Sequence, residues 1–302
     1  MIPFVRQMAF EYGRVDRVSP RIRRVIARNP GPFTFHGTGT YIVGSGEIAV
    51  IDPGPMLAEH LEALEAAVAG ETVTAILVTH DHADHAPLAA AFARHAGAPI
   101  FGGEPHPDRQ APPQGVEEGL DRLYLPDRVL ADGERIQGPD WTLRALHTPG
   151  HTSNHVCYAL EEEHALFTGD HVMGWSTTVI TPPDGDMTQY YASLGKVMAG
   201  DFKTLWPTHG PPVTDPEPFL NAYLNHRLRR EEAILAVLSR GPAQIDSIVS
   251  EVYVGLDARL KAAAASSVLA HLLHLVRKGE VVSEGRPGLE SGFALKDSSL
   301  KD

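Results

Sequence analysis

The chain has 302 residues, 43% of them hydrophobic and 21% charged, with a net charge of −12. That is enough apolar material for one large domain and a small one, and the acidity argues against a surface built to coat nucleic acid in general. A single cysteine, Cys157, excludes a disulfide framework and a cysteine-rich zinc site. Any metal must therefore be held by carboxylates and by some of the 16 histidines.

No apolar run reaches the ~18 residues of a membrane span. Met1 to Gly13 lacks a basic head followed by an apolar core. No membrane partner and a cytoplasmic location are expected. From Glu217 to Asp302, eleven Lys and Arg balance eleven Asp and Glu, so the acidic excess lies in residues 1–216. The chain divides on this reading into an acidic body, 1–216, and a neutral tail, 217–302.

In chain order, residues 1–30 are irregular and basic (Arg14, Arg17, Arg21, Arg23, Arg24, Arg28), as in a solvated strand. Thr40–Val43 and Glu47–Ile51 are β-type runs around Gly44-Ser45-Gly46, a hairpin, and Asp52-Pro53-Gly54 is a turn. Leu57, Leu61, Leu64 and Val68 recur at helical spacing within Met56–Ala69. Thr72–Thr79 reads as a strand, Pro87–Ala96 as a helix closed by Gly97, and Pro99–Phe101 as a short strand. Residues 102–121, rich in Pro and Gly and including His106, read as a rim over a site. Val129–Ile136, Trp141–His147, His155–Leu160 and Ala165–Thr168 read as strands, Met187–Ala199 as a helix and Thr204–Trp206 as a strand. Cys157, within an apolar run, reads as a small core residue. Two groups of strands mixed with helices suit two stacked sheets covered by helices, an α/β body.

The tail differs. Helices are predicted over Pro218–Ser239, Ala243–Val254 and from Asp257 to Lys278, followed by strands Glu280–Glu284 and Gly292–Leu295. Three helices and a β-hairpin make a winged-helix layout, whose third helix often enters DNA. Here that helix carries Arg259, Lys261, Arg277 and Lys278 but is otherwise Ala-rich and apolar, which suits packing or a homodimer contact equally well.

The chemistry concentrates in Ile76-Leu77-Val78-Thr79-His80-Asp81-His82-Ala83-Asp84-His85. His80 and His82 lie on one side of an extended segment, because side chains alternate, and can share a metal. Asp84 and His85 follow after a turn and can reach a second. Three more ligand-type residues, His151, Asp170 and His209, each follow an apolar run and neighbour a glycine that lets the backbone approach an ion.

The HxHxDH of residues 80–85, with His151, Asp170 and His209 in that order, resembles the metallo-β-lactamase superfamily. The resemblance implies a four-layer αββα sandwich followed by a small winged-helix domain. It also implies one metal on His80, His82 and His151, a second on Asp84, His85 and His209, and Asp170 bridging them. Asp52 matches a position that supports the site from behind the ligands. Zinc is implied for both ions, although these ligand types also suit iron or manganese. Asn29-Pro30-Gly31-Pro32-Phe33-Thr34, Gly37-Thr38-Gly39-Thr40-Tyr41 and Asn225-His226-Arg227 resemble, more narrowly, the β-lactamase-like protein 2 group.

Two ions ~3.5–4 Å apart share a water and lower its pKa toward ~7, giving a bridging hydroxide. The expectation is a dinuclear hydrolase in which Asp170 fixes the ion spacing, Asp84 orients the hydroxide, and His171 either meets substrate or lies behind the ligands. The group resemblance favours a phosphodiesterase cutting single-stranded RNA. That is the first expectation; the second, which the acidic surface and the Pro-rich segment 102–121 accommodate, is a small-molecule hydrolase of thioesters or lactones. A β-lactamase ranks third, and a winged-helix regulator with a sensor-like body is the non-enzyme alternative, disfavoured because all seven ligand-type residues are present.

Overall fold

The computed structural model describes residues 2–105 and 119–296. The chain begins with β1 (Val15–Arg17), β2 (Ile22–Ile26), β3 (Gly39–Ser45) and β4 (Glu47–Ile51), an antiparallel meander. Helix α1 (Ala58–Ala67) returns it to β5 (Thr72–Leu77), and α2 (Leu88–Ala96) leads to β6 (Ile100–Gly102). Both crossovers give parallel pairings, and β7 (Arg128–Val129) closes this seven-stranded sheet. The second sheet contains β8 (Arg135–Gln137), β9 (Thr142–His147), β10 (Val156–Leu160), β11 (Ala165–Gly169) and, after helix α3 (Met187–Met198), β12 (Thr204–Pro207).

The expected strand over 129–136 is two strands in two sheets. The chain turns between them, where Gly133 takes φ +82°, a left-handed conformation suited to glycine. This is where the chain crosses from the first sheet to the second.

Three apolar layers make the αββα sandwich. Leu64, Val68 and Phe92 of α1 and α2 cover the outer face of the first sheet. Tyr41, Ile51, Leu77, Tyr158, Phe167 and Trp206 fill the space between the sheets. Tyr190 and Leu194 of α3 cover the outer face of the second sheet, with Cys157 and Leu166 beneath them. Cys157 is fully buried and its thiol pKa is pushed up to about 12 by burial, as befits a core residue.

Helix α4 (Pro216–Leu238) belongs to two cores. Its Phe219, Leu220 and Tyr223 pack into the body, while Ile234, Val237 and Leu238 pack into the tail. After it come β13 (Ala243–Gln244), α5 (Ile245–Val252), α6 (Lys261–Lys278), β14 (Val281–Ser283) and β15 (Gly292–Leu295), with sheet order β13-β15-β14. The predicted helix over 243–254 thus starts two residues late, because Ala243 and Gln244 pair with β15. This is the winged helix. Its α6 buries Ala264, Val268, Leu269, Leu272 and Leu275 and is anchored on the body by His274 Nδ1, 2.8 Å from Thr188 Oγ1 of α3, and by Arg277 on Asp186. No helix among the described residues is long and apolar enough to cross a membrane.

Candidate metal centre

Strand ends supply the site. The loop after β5 delivers His80, His82, Asp84 and His85; the turn after β9 delivers His151; Asp170 directly follows β11; and His209 lies two residues past β12. All seven expected residues converge, each buried to at least nine-tenths.

Their inward-facing atoms form overlapping groups. His80 Nε2 lies 2.9 Å from His82 Nδ1, and His151 Nε2 lies 3.2 Å from that same atom. On the other side, His209 Nε2 lies 3.2 Å from His85 Nε2 and 3.0 Å from Asp84 Oδ2. In each set, one ligand-type atom per residue falls within 4.8 Å of the others. Asp170 spans the two: its Oδ1 is 3.6 Å from His85 Nε2 and 3.4 Å from His209 Nε2, and its Oδ2 is 3.8 Å from His151 Nε2. Asp84 Oδ1 and Asp170 Oδ1 are buried without a hydrogen-bond partner. Buried carboxylate oxygens without donors, facing imidazole nitrogens, fit a divalent cation.

Electrostatics separate the two sides. Burial, then crowding by neighbouring imidazoles, pushes His80 well below the ordinary histidine pKa; burial and His151 do the same at His82. Their inward lone pairs are therefore free near neutral pH. At His85 burial works downward, but Asp84, Asp52 and Asp170 together lift the pKa to about 10. Asp84, despite burial, is held below the usual carboxylate range by His85 and His209. This side carries concentrated charge that a cation would satisfy.

Behind four of the five imidazoles an oxygen faces the outward nitrogen. His151 Nδ1 lies 2.7 Å from the Val179 carbonyl, His209 Nδ1 lies 3.2 Å from that of Gly37, and His80 Nδ1 lies 3.0 Å from Thr79 Oγ1. Asp52 sits behind His85 with its Oδ2 2.8 Å from Nδ1. That oxygen also accepts from Thr79 Oγ1 and Thr208 Oγ1, while Oδ1 accepts from the Thr79 amide. Such partners fix ring tautomer and orientation.

The glycines beside the loop residues act differently from expectation. A Cβ at Gly150 would fall 2.4 Å from Tyr190 Cα, at Gly169 2.6 Å from His155 Nε2, and at Gly210 2.8 Å from the Trp175 ring. They make room for neighbouring protein, not for an ion. His171 is fully buried and does not line the cleft, the placement expected of a residue behind the ligands. His106 and most of the rim segment lie outside the described residues, which resume at Gly119.

Thr79 and Thr208, which bond to Asp52, are site residues that the sequence motifs do not mark, and Thr148 and Thr168 hold neighbouring strand ends through His155 and the Val172 carbonyl. All four are buried at strand ends, each one to three residues before a ligand-type side chain. That recurrence was the available signal. Also missed was the contribution of α4. The Tyr223 hydroxyl accepts from the Thr178 amide at 2.7 Å and donates to the Ser176 carbonyl at 3.0 Å. Thr178 Oγ1 in turn donates to the Asp170 carbonyl at 2.9 Å. Arg227 donates to the Thr178 carbonyl and stacks over Tyr190.

Over the cluster lies a cleft of about 400 Å³. His82, Asp84, His151 and Asp170 form its floor. Phe33, Met173, Trp175 and Val179 of the body form one side, and Tyr253, Leu256, Leu260 and Ala264 of the tail form the other. The third helix of the winged unit thus walls the cleft.

An αββα sandwich carrying overlapping His and Asp groups at one edge defines a metal-dependent hydrolase. The chain belongs to the metallo-beta-lactamase superfamily: residues 34–209 match that family, and residues 245–289 match the beta-lactamase associated winged helix domain. Among its relatives, an atrochrysone carboxyl ACP thioesterase of Aspergillus chevalieri is 34% identical over 253 residues, covering 79% of this chain and 75% of that protein. A beta-lactamase-like protein 2 homolog of Caenorhabditis elegans is 30% identical over 277 residues, 88% of each chain. A beta-lactamase domain protein from Burkholderia ambifaria superposes with a TM-score of 0.79 at 20% identity, covering 98% of this chain and 97% of that one.

Proposed function

We propose that this hydrolase cleaves acyl thioesters of small molecules. The observation that carries the reading is the cleft: directly above the candidate metal centre, it is walled mainly by apolar side chains from both domains. Such a wall suits an acyl group, and among the described residues its basic side chains are confined to Arg227, Arg230 and the histidines, short of the extended basic track that favours single-stranded RNA. The relative named as an acyl carrier thioesterase supports the same substrate class.

In this reading His80, His82 and His151 would hold one divalent ion, Asp84, His85 and His209 a second, and Asp170 would serve both. Zinc is the proposed metal. When bound, paired ions supply an activated water near neutral pH and polarise the carbonyl oxygen. Asp84 Oδ1, without a hydrogen-bond partner in the protein, takes the water's proton as the oxygen bonds to the carbonyl carbon. The C–S bond then breaks, and the thiol leaves with that proton. Phe33, Met173 and Leu256 shield the acyl chain from solvent.

The competing reading, cleavage of single-stranded RNA, has Arg227 and Arg230 in the cleft on its side. Against it stand the net charge of −12 and an α6 whose apolar face is turned inward. Metal-loaded protein incubated with acyl thioesters and with labelled single-stranded RNA decides between them. Thioester turnover that is absent in His82→Ala supports the proposal. Intact thioesters beside RNA cut only by the unaltered protein overturn it.

A further inference from the structure

One part of the cleft is not apolar. Arg227 and Arg230, one turn apart on α4, both line it. Arg227 is only 4% exposed. A guanidinium carries five N–H donors, and burying them without acceptors is costly. Arg227 gives one to the Thr178 carbonyl, while its Nε is buried without a partner. Arg230 gives one to the Val252 carbonyl and its Cζ lies over the Tyr253 ring, 3.9 Å from the centroid. Among the described residues, neither arginine has a carboxylate within ion-pair distance; Glu231, next after Arg230 in sequence, is taken by His271 and Tyr191.

His226 beside them registers their charge. Burial first, then Arg227 and Arg230, pushes its pKa down to about 4, so it stands in the cleft as a neutral donor and acceptor. The carboxylates of the cleft floor are those of the metal centre, already claimed by imidazoles and, when bound, by cations. In an otherwise acidic protein, the arginine side of the cleft is a local positive site with unspent donors. Arg24 offers a useful contrast: it too has buried donors without partners, yet it lines no cleft described above.

We propose that Arg227 and Arg230 form an anion subsite, and that the preferred substrate is an acyl thioester whose acyl group carries a second, free carboxylate. This rests on the acyl hydrolase reading and deepens it. The scissile carbonyl lies over the metal centre, the apolar wall holds the methylenes or ring between, and the distal carboxylate meets the two guanidinium groups. A charge-assisted contact of this kind contributes about tenfold or more to apparent affinity.

The test pairs thioesters of one thiol: glutaryl, adipyl and suberyl against pentanoyl, hexanoyl and octanoyl. The expected result is a preference of about tenfold or more for at least one carboxylate-terminated member, expressed in KM. Arg230→Gln should collapse that preference to about unity, and Arg230→Lys should restore part of it. Equal cleavage of the paired substrates overturns the subsite, as does an Arg230→Gln defect equal for both, which marks a purely structural arginine. A preference that instead follows a phosphate on the thiol arm also overturns it.

Calorimetry keeps the two claims separable. Glutarate, adipate or suberate should bind metal-loaded protein about tenfold more tightly than the matching monocarboxylate, and Arg230→Gln should erase the difference. Failure of every thioester would sink the acyl reading, while the calorimetric comparison would still decide the subsite. A dicarboxylate series binding no better than the monocarboxylates would remove it.

Discussion

Asp52 Oδ2 lies 2.8 Å from His85 Nδ1, on the side of the ring opposite the nitrogen that faces Asp84 and Asp170. Asp52 itself is fully buried and takes the positive φ of 49° that ends β4 in a tight turn. Its two oxygens accept from the Thr79 amide and from the hydroxyls of Thr79 and Thr208, so one carboxylate ties β4 to the ends of β5 and β12. Asp52→Asn keeps the shape but presents N–H to groups that are themselves donors. Metal affinity should fall by about 10–100-fold, the usual cost of losing such an outer partner. Metal retained after dialysis against a weak chelator measures it, and wild-type retention would remove Asp52 from this role.

Asp170 faces both candidate groups with different oxygens. If it joins two ions, Asp170→Ala should leave the His80, His82, His151 group able to hold one ion while the second is lost or weakened. Bound metal should drop from about two equivalents toward one, with turnover reduced by roughly 100-fold or more. Elemental analysis on variant and parent gives the count. Two equivalents retained by the variant would mean that Asp170 does not bridge.

The seven ligand-type residues were legible because their chemistry is compressed into HxHxDH and three Gly-flanked loops. Asp52 was legible only through family likeness. Thr79 and Thr208 were not, because a strand-end Thr has many ordinary uses and only the fold shows that both hydroxyls meet Asp52 behind His85. The crossing between sheets was missed because Val129, Leu130 and Ile136 look like one apolar strand until Gly133 breaks it. Charge balance sets the tail apart as a separate unit, yet charge says nothing of which core a helix enters. Tyr223 and Arg227 fall in what looked like tail sequence but hold up the segment behind Asp170.

That placement gives a prediction for α4. Removing residues 217–302 should abolish turnover of every substrate, because it strips Phe219, Leu220 and Tyr223 from the body's core. A finer change is Tyr223→Phe, which leaves the ring and deletes the hydroxyl. The Thr178 amide and the Ser176 carbonyl then lose a partner, at a cost of about 1–3 kcal/mol of folding stability. Urea unfolding at constant m-value reads the loss. A truncated chain that kept full turnover would show that α4 does not support the site.

Acid should weaken the fold through buried histidines outside the seven ligand-type residues. His60 is 2% exposed, with Nε2 2.9 Å from Thr40 Oγ1, and burial pushes its pKa down to about 4. His271 is fully buried and likewise pushed down to about 4, chiefly by burial, although its contact with Glu231 works the other way. An unfolded chain protonates histidine near pH ~6.5. Between about pH 6.5 and 4 the unfolded state therefore binds protons that the folded state refuses. The stability owed to the neutral form is complete above about pH 6.5 and is lost as the pH falls, by roughly 1.4 kcal/mol per pH unit for each such group. His60→Gln, which can still donate to Thr40, removes one titrating group. Its stability should fall less steeply with acid than the parent's, by about one proton's worth of slope between pH 6 and 4.5. Urea unfolding of both proteins across that range tests it, and parallel pH profiles would mean that His60 is not held neutral.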